Sequence, residues 1–386
     1  MNILLLQSSV YYPSLGGGNK ANRLLLEALA ARGHHCVSIA KSLDSQRISD
    51  TRSECDVLKQ RSIEFSQIRP NVRTYSLNSV TVHTVKTHRS QNEFSRVVAD
   101  QVRSMAPDVI LVSDDKSGEL LDLSLTLNPD RTVLLLHTNL HLPFGAEANQ
   151  LDADRAAVYS RCKYILSATR YTQEYLFEAR GLSSSFIPFP VFGAGPFDNI
   201  ADRQRKTVGM INPCDIKGLP IFLALAERFP QFTFIAVPTW GASHDDLARI
   251  SALPNTQILD PVDDVGLILA RLSALLVPSL IAETFGYVTV EAMLRGIPVL
   301  ASDYGGLRHA KLDVPYLVPI TPATPSNGQH LIPAQDIEPW AAALTMLMDS
   351  ADEYTRCSHQ SHQAANAFIR QIGVQEFEQY FQGIAA

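Results

Sequence analysis

The stretch that decides the fold is ALLVPSLIAETFGYVTVEAMLRGIPVLA, residues 274–301. It opens with a short apolar run that is typical of a buried strand, and a loop carrying Glu283 follows. A helical pattern begins near Tyr287, which places Glu291 about one turn into the helix, and residues 297–301 form a second apolar run. Strand, loop, helix and strand in this order predict one βαβ unit of a parallel sheet.

The same alternation of short apolar runs and amphipathic stretches extends over most of the chain. The predicted strands lie at residues 2–9, 36–40, 108–113, 132–137, 163–168, 207–212, 232–237, 256–260, 274–278 and 297–301. The predicted helices lie at residues 19–32, 171–180, 216–228, 265–272, 288–294, 338–348 and 352–384. Prolines and glycines break both periods between residues 188 and 205, which indicates a linker. The sequence therefore predicts an α/β protein of two Rossmann-like, doubly wound domains that face a central cleft.

Length, composition and charge narrow the class of protein. A chain of 386 residues is too long for one ordinary core, and 46% hydrophobic with 19% charged residues is typical of a soluble globular protein. A formal net charge of −6 gives no general attraction to nucleic acid. Arginines and lysines crowd residues 47–73, but acidic residues alternate with them, which favours a solvated loop.

Cysteine usage and the N-terminal residues indicate a cytoplasmic protein. The five cysteines are scattered without a Cys-x-x-Cys pair, which favours reduced thiols over a disulfide framework or zinc ribbon. The first residues form a short apolar run without a preceding basic region, so we expect a buried strand and not a signal peptide. No apolar run reaches the length of a membrane span.

The two glutamates of residues 274–301 suit the binding of a sugar nucleotide. An ionised carboxylate accepts two hydrogen bonds at once, which matches a ribose diol or neighbouring sugar hydroxyls. The main-chain N–H groups of Gly286, Tyr287 and Val288 stand at the predicted helix start, where such groups bind phosphate oxygens. The spacing of Glu283 and Glu291 is not specific by itself, so the neighbouring residues must carry the interpretation.

These neighbours resemble the retaining nucleotide-sugar glycosyltransferases of family 4, which have the GT-B architecture. The family pattern is approximately P-S-x-x-E-x-F-G-x-x-x-x-E-A-x-x-x-G-x-P-V, and the chain matches it with one extra residue before Glu283. Four further segments resemble the family's P-x-x-G-G loop, its R-G-H ending, its K-G and its G-G: residues 13–18, Gly33-His34, Lys217-Gly218 and Gly305-Gly306.

The resemblance implies a role for each matched residue. Glu291 would bind the ribose hydroxyls, Glu283 would hold the donor sugar near its anomeric centre, and Lys217 would neutralise the diphosphate. His137 takes the position of the family's sugar-proximal histidine, so Glu283, His137 and Lys217 are the predicted catalytic residues. The predicted donor-binding residues are Gly16, Gly17, Gly18, Asn212, Phe285, Gly286, Tyr287, Val288 and Glu291.

Two positions depart from the family pattern. Asn212 stands five places before Lys217, where many members have an arginine, so one phosphate cation is missing or comes from elsewhere. His309 stands where a glutamate usually follows the paired glycines, and Arg308 beside it is a weak candidate for the missing cation. Both departures limit what the sequence says about donor identity.

The glycine loop near the N-terminus allows two other interpretations. Gly16, Gly18 and Ala21 satisfy the dinucleotide fingerprint G-x-G-x-x-A, which would indicate an NAD enzyme. About seven residues separate this loop from the preceding strand, and the acidic residue expected after the second strand is missing. A glycine turn without a ligand is the other interpretation.

Metal binding is weighed against simpler interpretations at two places. His137 and His141 could ligate a metal ion, yet no acidic or cysteine partner stands at a ligand spacing. Asp152-Ala-Asp154 is the D-x-D signature of the other large glycosyltransferase architecture, but it opens a helical pattern where aspartates serve as caps. We therefore expect neither a metal nor another cofactor.

The resemblance predicts a retaining, metal-independent hexosyltransferase with an N-terminal acceptor-side domain, residues 1–195, and a donor domain, residues 205–367. A C-terminal helix at about residues 368–386 would pack back on the first domain. The donor would be a nucleoside-diphosphate sugar, with UDP-glucose first by family frequency, and the acceptor a hydroxyl in glycan, polysaccharide or glycoconjugate biosynthesis. Peripheral contact with the membrane through a lipid-linked acceptor and the oligomeric state stay open. The alternatives are a GT-B sugar-nucleotide 2-epimerase and a catalytically inactive sugar-nucleotide-binding protein.

Overall fold

The structure, a computed structural model, describes residues 1–14, 16–45, 53–87, 91–113, 117–193, 195–262, 264–326 and 328–386. The chain divides into two compact units. The first consists of Met1–Val191 together with Gly373–Ala386, and the second of Phe192–Ile372. Part of the arginine-rich stretch, including Arg47 and Arg52, lies outside the described residues.

The described part of the first unit contains a nine-stranded sheet with the order β3-β4-β5-β2-β1-β6-β7-β8-β9. Its strands are β1 (Asn2–Gln7), β2 (His35–Lys41), β3 (Phe65–Arg69), β4 (Val72–Leu77), β5 (Val80–Val85), β6 (Val109–Ser113), β7 (Thr132–Leu136), β8 (Tyr164–Ser167) and β9 (Ser185–Phe186). Along the part of the sheet with the order β5-β2-β1-β6-β7-β8-β9, every pair of neighbouring strands is parallel. β4 pairs antiparallel with both β3 and β5.

The strands β3, β4 and β5 were not predicted from the sequence. β3 is largely exposed, and β4 mixes apolar with polar residues, so neither shows the continuous apolar run of a central parallel strand. Asn78 and Ser79, which join β4 to β5, both have positive φ, at 46° and 64°. Such a two-residue turn matches the twist of a hairpin, but Asn-Ser is a weaker sequence signal than Asn-Gly.

The described part of the first unit contains six α-helices before the linker. They are α1 (Gly17–Ala31), α2 (Glu54–Gln60), α3 (Gln91–Met105), α4 (Glu119–Leu127), α5 (Ala153–Tyr159) and α6 (Arg170–Arg180). The side chain of Asp152 accepts a hydrogen bond of 3.0 Å from the backbone N–H of Arg155 at the start of α5. The interpretation of Asp152-Ala-Asp154 as a helix cap is therefore confirmed.

The described part of the second unit contains a six-stranded parallel sheet with the order β12-β11-β10-β13-β14-β15. Its strands are β10 (Thr207–Ile211), β11 (Thr233–Val237), β12 (Thr256–Ile258), β13 (Ala274–Val277), β14 (Val299–Ser302) and β15 (Leu317–Val318), and a small hairpin follows of β16 (Thr324–Ser326) and β17 (Gln329–Leu331). The helices are α7 (Leu219–Arg228), α8 (His244–Ser251), α9 (Gly266–Leu269), α10 (Tyr287–Met293), α11 (Leu307–Ala310), α12 (Glu338–Asp349) and α13 (Ala351–Ile369). β13, α10 and β14 form the βαβ unit predicted for residues 274–301, with Leu275 paired to Val299.

Residues 352–384, which are helical in pattern, contain two helices, and the second lies within the C-terminal helix predicted at about residues 368–386. α13 ends at Ile369, and a last helix, α14 (Val374–Ala385), begins after Gly373, whose backbone is extended. α14 contacts α1 and β6 of the first unit. Its side chains Phe377 and Phe381 are fully buried there.

In the described part of the chain, no helix combines the length and the apolar character that crossing a membrane requires.

Truncating Phe377 tests the packing of α14 in the first unit. Its ring centroid lies 5.1 Å from that of Phe189 and is fully buried. We expect Phe377→Ala to lower the free energy of unfolding by about 3–5 kcal/mol, because the change removes a buried ring and leaves a cavity. Urea denaturation measures the effect, and Gln382→Ala, an exposed change on the same helix, should stay within about 0.5 kcal/mol of wild type. Equal effects of the two variants would contradict this packing.

Candidate functional site

The predicted site residues form two groups, each near the carboxyl ends of parallel strands in its own unit. Gly16, Gly17 and Gly18 follow β1 at the start of α1, and His137 directly follows β7. The remaining residues lie in the second unit, on the loops after β10 and β13 and on α10. Ligands of parallel α/β sheets bind at this edge.

His137 has a well-defined environment in the first unit. Its Nε2 lies 2.7 Å from Oδ1 of Asn22, and its ring meets that of Phe189 edge to face at 4.7 Å. Burial lowers the pKa of His137 to about 4, so the imidazole is neutral at pH 7. A neutral imidazole can exchange hydrogen bonds with a hydroxyl but carries no charge for a phosphate.

The glycine loop packs directly against this histidine. A Cβ atom on Gly18 would lie 2.8 Å from Cβ of His137 and 3.0 Å from its Cγ, closer than side chains approach one another. Gly16 has a positive φ of 89° and stands immediately before α1. The structure therefore brings Gly18 and His137 together and requires glycine at position 18.

Lys217 and Glu283 form an ion pair in the second unit, in which Nζ of Lys217 bonds to Oε1 of Glu283. The two side chains are mostly buried, with 16% and 18% of their surfaces exposed. Lys217 ends the short turn Asp215–Lys217 after β10, and Glu283 lies in the loop between β13 and α10. Two catalytic residues predicted 66 positions apart are therefore in direct contact.

The loops that carry this pair are joined through their backbones. The N–H of Leu280 donates a hydrogen bond of 3.0 Å to the carbonyl of Ile216. Gly218 has a φ of 90°, and a Cβ atom there would overlap the carbonyl oxygen of Pro278. The glycine after Lys217 thus allows the close approach that places the ammonium beside Glu283.

The paired glycines Gly305 and Gly306 hold the other side of the Glu283 loop. The N–H of Gly306 donates a hydrogen bond of 2.6 Å to the carbonyl of Glu283, and a Cβ atom on Gly306 would overlap the carbonyl oxygen of Thr284. Gly305 has a φ of 60°, and its Cβ would lie 2.9 Å from the same Glu283 oxygen. These glycines therefore position the Glu283 backbone.

The helix α10 begins at the predicted donor-binding residues. Gly286 precedes it with a φ of 80°, and a Cβ atom there would lie 2.7 Å from Cδ2 of Leu307. The Phe285 ring packs against the rings of Tyr287 and Phe368, with centroids 5.4 and 5.9 Å away, so only its main chain suits the predicted role. Val288 follows in the first turn of α10.

Tyr287 and Glu291 lie close together one turn apart on α10. Burial, and secondly the charge of Glu291, raise the pKa of Tyr287 well above its usual value. The phenol is therefore neutral, and among the described residues its hydroxyl has no hydrogen-bond partner. Glu291 lies about one turn into α10, as the sequence predicts, and Glu283 lies in the loop before this helix.

The two departures from the family pattern have defined surroundings. Asn212 is buried with a φ of 62°, and its Oδ1 accepts a hydrogen bond of 2.9 Å from the N–H of Gly241. The side-chain oxygen of Asn212 thus holds the loop after β11, and direct contact with a donor stays a prediction. Arg308 bonds to Asp303 through its Nε at 2.6 Å, and His309 lies beside it on α11.

Trp240 on that loop was not among the residues predicted from the sequence. Its side chain is 55% exposed, and Nζ of Lys217 lies 5.8 Å from the centre of its ring, within the range of a cation–π contact. A large aromatic residue just after the predicted strand at residues 232–237 was the available signal.

No group of three or more His, Cys, Asp or Glu side chains in the described ranges is arranged to hold a metal ion.

Residues 207–350, which span most of the second unit, match the family model described as "Glycosyl transferases group 1". A protein of Klebsiella pneumoniae, named "Uncharacterized 42.6 kDa protein in cps region", is 23% identical over 339 residues, which cover 80% of this chain and 86% of that protein. A phosphatidyl-myo-inositol mannosyltransferase of Mycolicibacterium smegmatis is 28% identical over 199 residues, 48% of each chain.

Solved structures similar to this chain establish its fold. Sucrose-phosphate synthase from Thermosynechococcus elongatus has a TM-score of 0.72 at 18% identity and covers 100% of both chains. Alr3699/HepE of Anabaena, in complex with UDP and glucose, has a TM-score of 0.66 at 16% identity and covers 99% of this chain and 98% of its own. The prediction of a GT-B fold is confirmed. The family match over residues 207–350 supports a glycosyltransferase, as the sequence predicts.

Two alanine substitutions test the close approach at Gly218. Gly33 and Gly218 have nearly equal φ angles of 89° and 90°, but only a Cβ at Gly218 meets a neighbouring atom. We expect Gly33→Ala to lower the free energy of unfolding by about 1–2 kcal/mol through backbone strain alone. Gly218→Ala should cost about 1–3 kcal/mol more, because its Cβ also overlaps the Pro278 carbonyl. Urea denaturation of both variants measures the difference, and equal losses would show that the two loops do not touch.

The pKa of His137 gives a second test. We expect its ring resonances to stay constant from about pH 8 to about pH 5 and to titrate only near pH 4, because burial disfavours the charged imidazole. NMR titration measures this, and His137→Gln identifies the signal by its disappearance. Since the unfolded chain binds this proton at higher pH, the His137 contribution to stability is lost as the pH falls from about 6.5 towards 4. A midpoint near 6.5 in the folded protein would contradict the described burial.

Proposed function

We propose that this protein is a retaining, metal-independent glycosyltransferase that moves a hexose from a nucleoside-diphosphate sugar to an acceptor hydroxyl. The observation that carries the proposal is the Lys217–Glu283 pair, which glycine contacts hold at the ligand-binding edge of the second sheet. The group 1 family match over residues 207–350 and the GT-B fold support the same class.

The ion pair suits a donor that carries both phosphates and hydroxyls. The oxygens of a bound diphosphate would compete with Glu283 for the Lys217 ammonium, a compact cation suited to an oxygen cluster. Glu283 would then be available to accept hydrogen bonds from hydroxyls of the donor sugar. Donor binding would thus replace the Lys217–Glu283 contact with two others, one between Lys217 and the diphosphate and one between Glu283 and the sugar hydroxyls.

The departing diphosphate needs stabilisation as the bond to the sugar breaks. Lys217 and the main-chain N–H groups of Gly286, Tyr287 and Val288 would supply it, with Glu291 holding the ribose hydroxyls. The roles predicted for Gly16, Gly17, Gly18, Asn212 and His137 belong to the same proposal. Because no carboxylate stands out as a nucleophile, we favour front-face displacement, in which the leaving phosphate takes the proton of the acceptor hydroxyl. This route retains the anomeric configuration.

The choice of substrates draws on the similar proteins. UDP-glucose is the first candidate donor, since Alr3699/HepE was crystallised with UDP-glucose and with UDP and glucose. A mannose donor is the second, because the mycobacterial relatives are named mannosyltransferases. Their name includes phosphatidyl-myo-inositol, which favours a lipid-linked acceptor. TarM of Staphylococcus aureus was crystallised with a GlcNAc-glycerol and fondaparinux, which favours a glycan acceptor instead. We place the reaction in the cytoplasm, with peripheral contact at the membrane if the acceptor is a lipid.

Removing either member of the ion pair tests the proposal. We expect Glu283→Ala and Lys217→Met to lower kcat/KM for sugar transfer by about 10²–10³-fold, because each removes a charge needed at the reacting end of the donor. The assay starts from a panel of nucleotide sugars screened for thermal stabilisation of the protein, since a ligand of the folded state raises the melting temperature. Transfer from the stabilising donor to glycan and lipid-linked acceptors is then followed, and NMR of the product reports its anomeric configuration.

Glu338→Gln is the matched control, because Glu338 forms an exposed ion pair with Arg228 in the same unit. Its activity should stay within about twofold of wild type. If Glu283→Ala retains transfer within about tenfold of wild type, the proposed site is wrong. A sugar product that forms without any acceptor would favour the epimerase.

A further inference from the structure

Trp240 is an exposed aromatic ring beside the ion pair that the proposed mechanism does not use. It lies on the loop after β11, with 55% of its surface exposed and its ring centre 5.8 Å from Nζ of Lys217. The other tryptophan of the sequence, Trp340, is fully buried. An indole left this open next to a paired cation and carboxylate is not explained by packing.

The loop that carries Trp240 is fixed by the residues after β10. Gly241 donates its N–H to Oδ1 of Asn212, and a Cβ on Gly241 would lie 2.8 Å from Sγ of Cys214 and 2.9 Å from that Asn212 oxygen. Position 241 therefore requires glycine if the two loops are to approach this closely. The contact holds the neighbouring indole in place beside Lys217.

A cavity of about 280 Å³ opens beside the indole. Ile216 and Cys214 supply apolar walls, and burial raises the pKa of the Cys214 thiol to about 11, so it stays uncharged. Ser243 and Asp245 also line the cavity, and the Ser243 oxygen, which caps α8 through Asp246, keeps one lone pair for a further hydrogen bond. This combination of an aromatic face with hydrogen-bonding oxygens suits a polyhydroxylated ring.

We infer that Trp240 is the stacking face of a saccharide subsite that adjoins Lys217 and Glu283. One face of a pyranose ring consists of C–H groups and can lie against the indole, which offers a large rigid apolar surface. The hydroxyls at the ring's edge can donate to carboxylate and hydroxyl oxygens such as those of Asp245 and Ser243. Asp215, Asp245 and Asp246 line the cavity, and one arginine, Arg249, pairs with two of them, so the acidic charges outnumber the basic one and disfavour a phosphate.

The saccharide has two sources, the hexose of the donor or a sugar unit of the acceptor. Naming them rests on the proposed function, whereas sugar binding at Trp240 does not depend on transfer. Lys217 lies close enough to both the indole and Glu283 to change the exposure of the ring when its partner changes. Nucleotide binding alone can therefore alter the ring, and the experiment must separate this effect from stacking.

Tryptophan fluorescence offers a selective test, because acrylamide reaches Trp240 and not the buried Trp340. The full-length protein is titrated with UDP, UDP-glucose and maltose, and quenching by acrylamide is measured at saturation. We expect sugar-bearing ligands to shield Trp240 beyond any effect of UDP. Shielding by UDP-glucose alone identifies the donor hexose, and shielding by maltose without nucleotide identifies the acceptor sugar. If neither exceeds UDP, the subsite does not exist.

Two substitutions at Trp240 separate stacking from a structural role. In calorimetric titrations, which do not depend on the indole, Trp240→Leu should raise the Kd of the shielding sugar ligand about tenfold and leave that of UDP unchanged, and Trp240→Phe should recover most of the loss. Phe177→Leu, a change at an exposed aromatic residue of the first unit, should alter neither Kd. Emission of Trp340 and the melting temperature report whether each variant is folded.

The outcomes distinguish the subsite from the proposed function. If wild type transfers sugar and folded Trp240→Leu binds every ligand as wild type does, the subsite is wrong and the function stands. If maltose shields Trp240 in wild type and no nucleotide sugar supports transfer, the subsite stands and the function is wrong.

Discussion

The ion pair between Lys217 and Glu283 depends on the close approach of backbones at three loops. Gly218 lies against Pro278, while Gly305 and Gly306 lie against the backbone of Glu283 and Thr284. A side chain at any of these glycines would separate loops whose distance sets the position of a charge. Because these glycines have no side chains, the loops pack closely, and this packing sets the positions of the Lys217 and Glu283 charges.

The parallel sheet of the second unit supplies the frame for these contacts. β10 and β13 are neighbours, so the loops after them begin at the same edge, and β11 on the far side of β10 adds the loop of Trp240. Asn212, on the loop after β10, accepts a hydrogen bond from Gly241 on the loop after β11 and so connects these two loops. Where the family pattern has a cation, this chain uses a buried amide to hold a loop. The positive charge near Lys217 is consequently lower than in the family pattern, and the indole of Trp240 lies beside the ammonium.

The sequence predicted those parts of the fold that have strong local patterns. Residues 274–301 form the expected strand, helix and strand, because their apolar runs and glycines are all close in the chain. The hairpins of β3, β4 and β5 were missed, since a half-exposed edge with an Asn-Ser turn carries little periodic signal. The C-terminal helix was predicted from about residue 368, whereas α14 begins at Val374, because the break at Gly373 is short within a long helical pattern.

The candidate site was predictable as a set of residues but not as a geometry. A family pattern marks Lys217 and Glu283 separately, and only the fold shows that they neutralise each other across 66 positions. Likewise, the shielding of His137 depends on Gly18 and Asn22 of α1 and on Phe189, which come from two distant segments. The imidazole of His137 is uncharged because tertiary packing buries it, and a sequence motif carries no information about that packing.

The position of α14 has a consequence for how the chain is made. Because the first unit is completed by Gly373–Ala386, the whole second unit is, in sequence, an insertion within the first. During synthesis the ribosome releases the second unit before the helix that covers the aromatic side of the first unit. The first unit therefore stays incomplete until residues 373–386 have been translated, and Phe189 lacks its contact with Phe377 until then. The first unit is therefore completed only after the whole second unit has been synthesised.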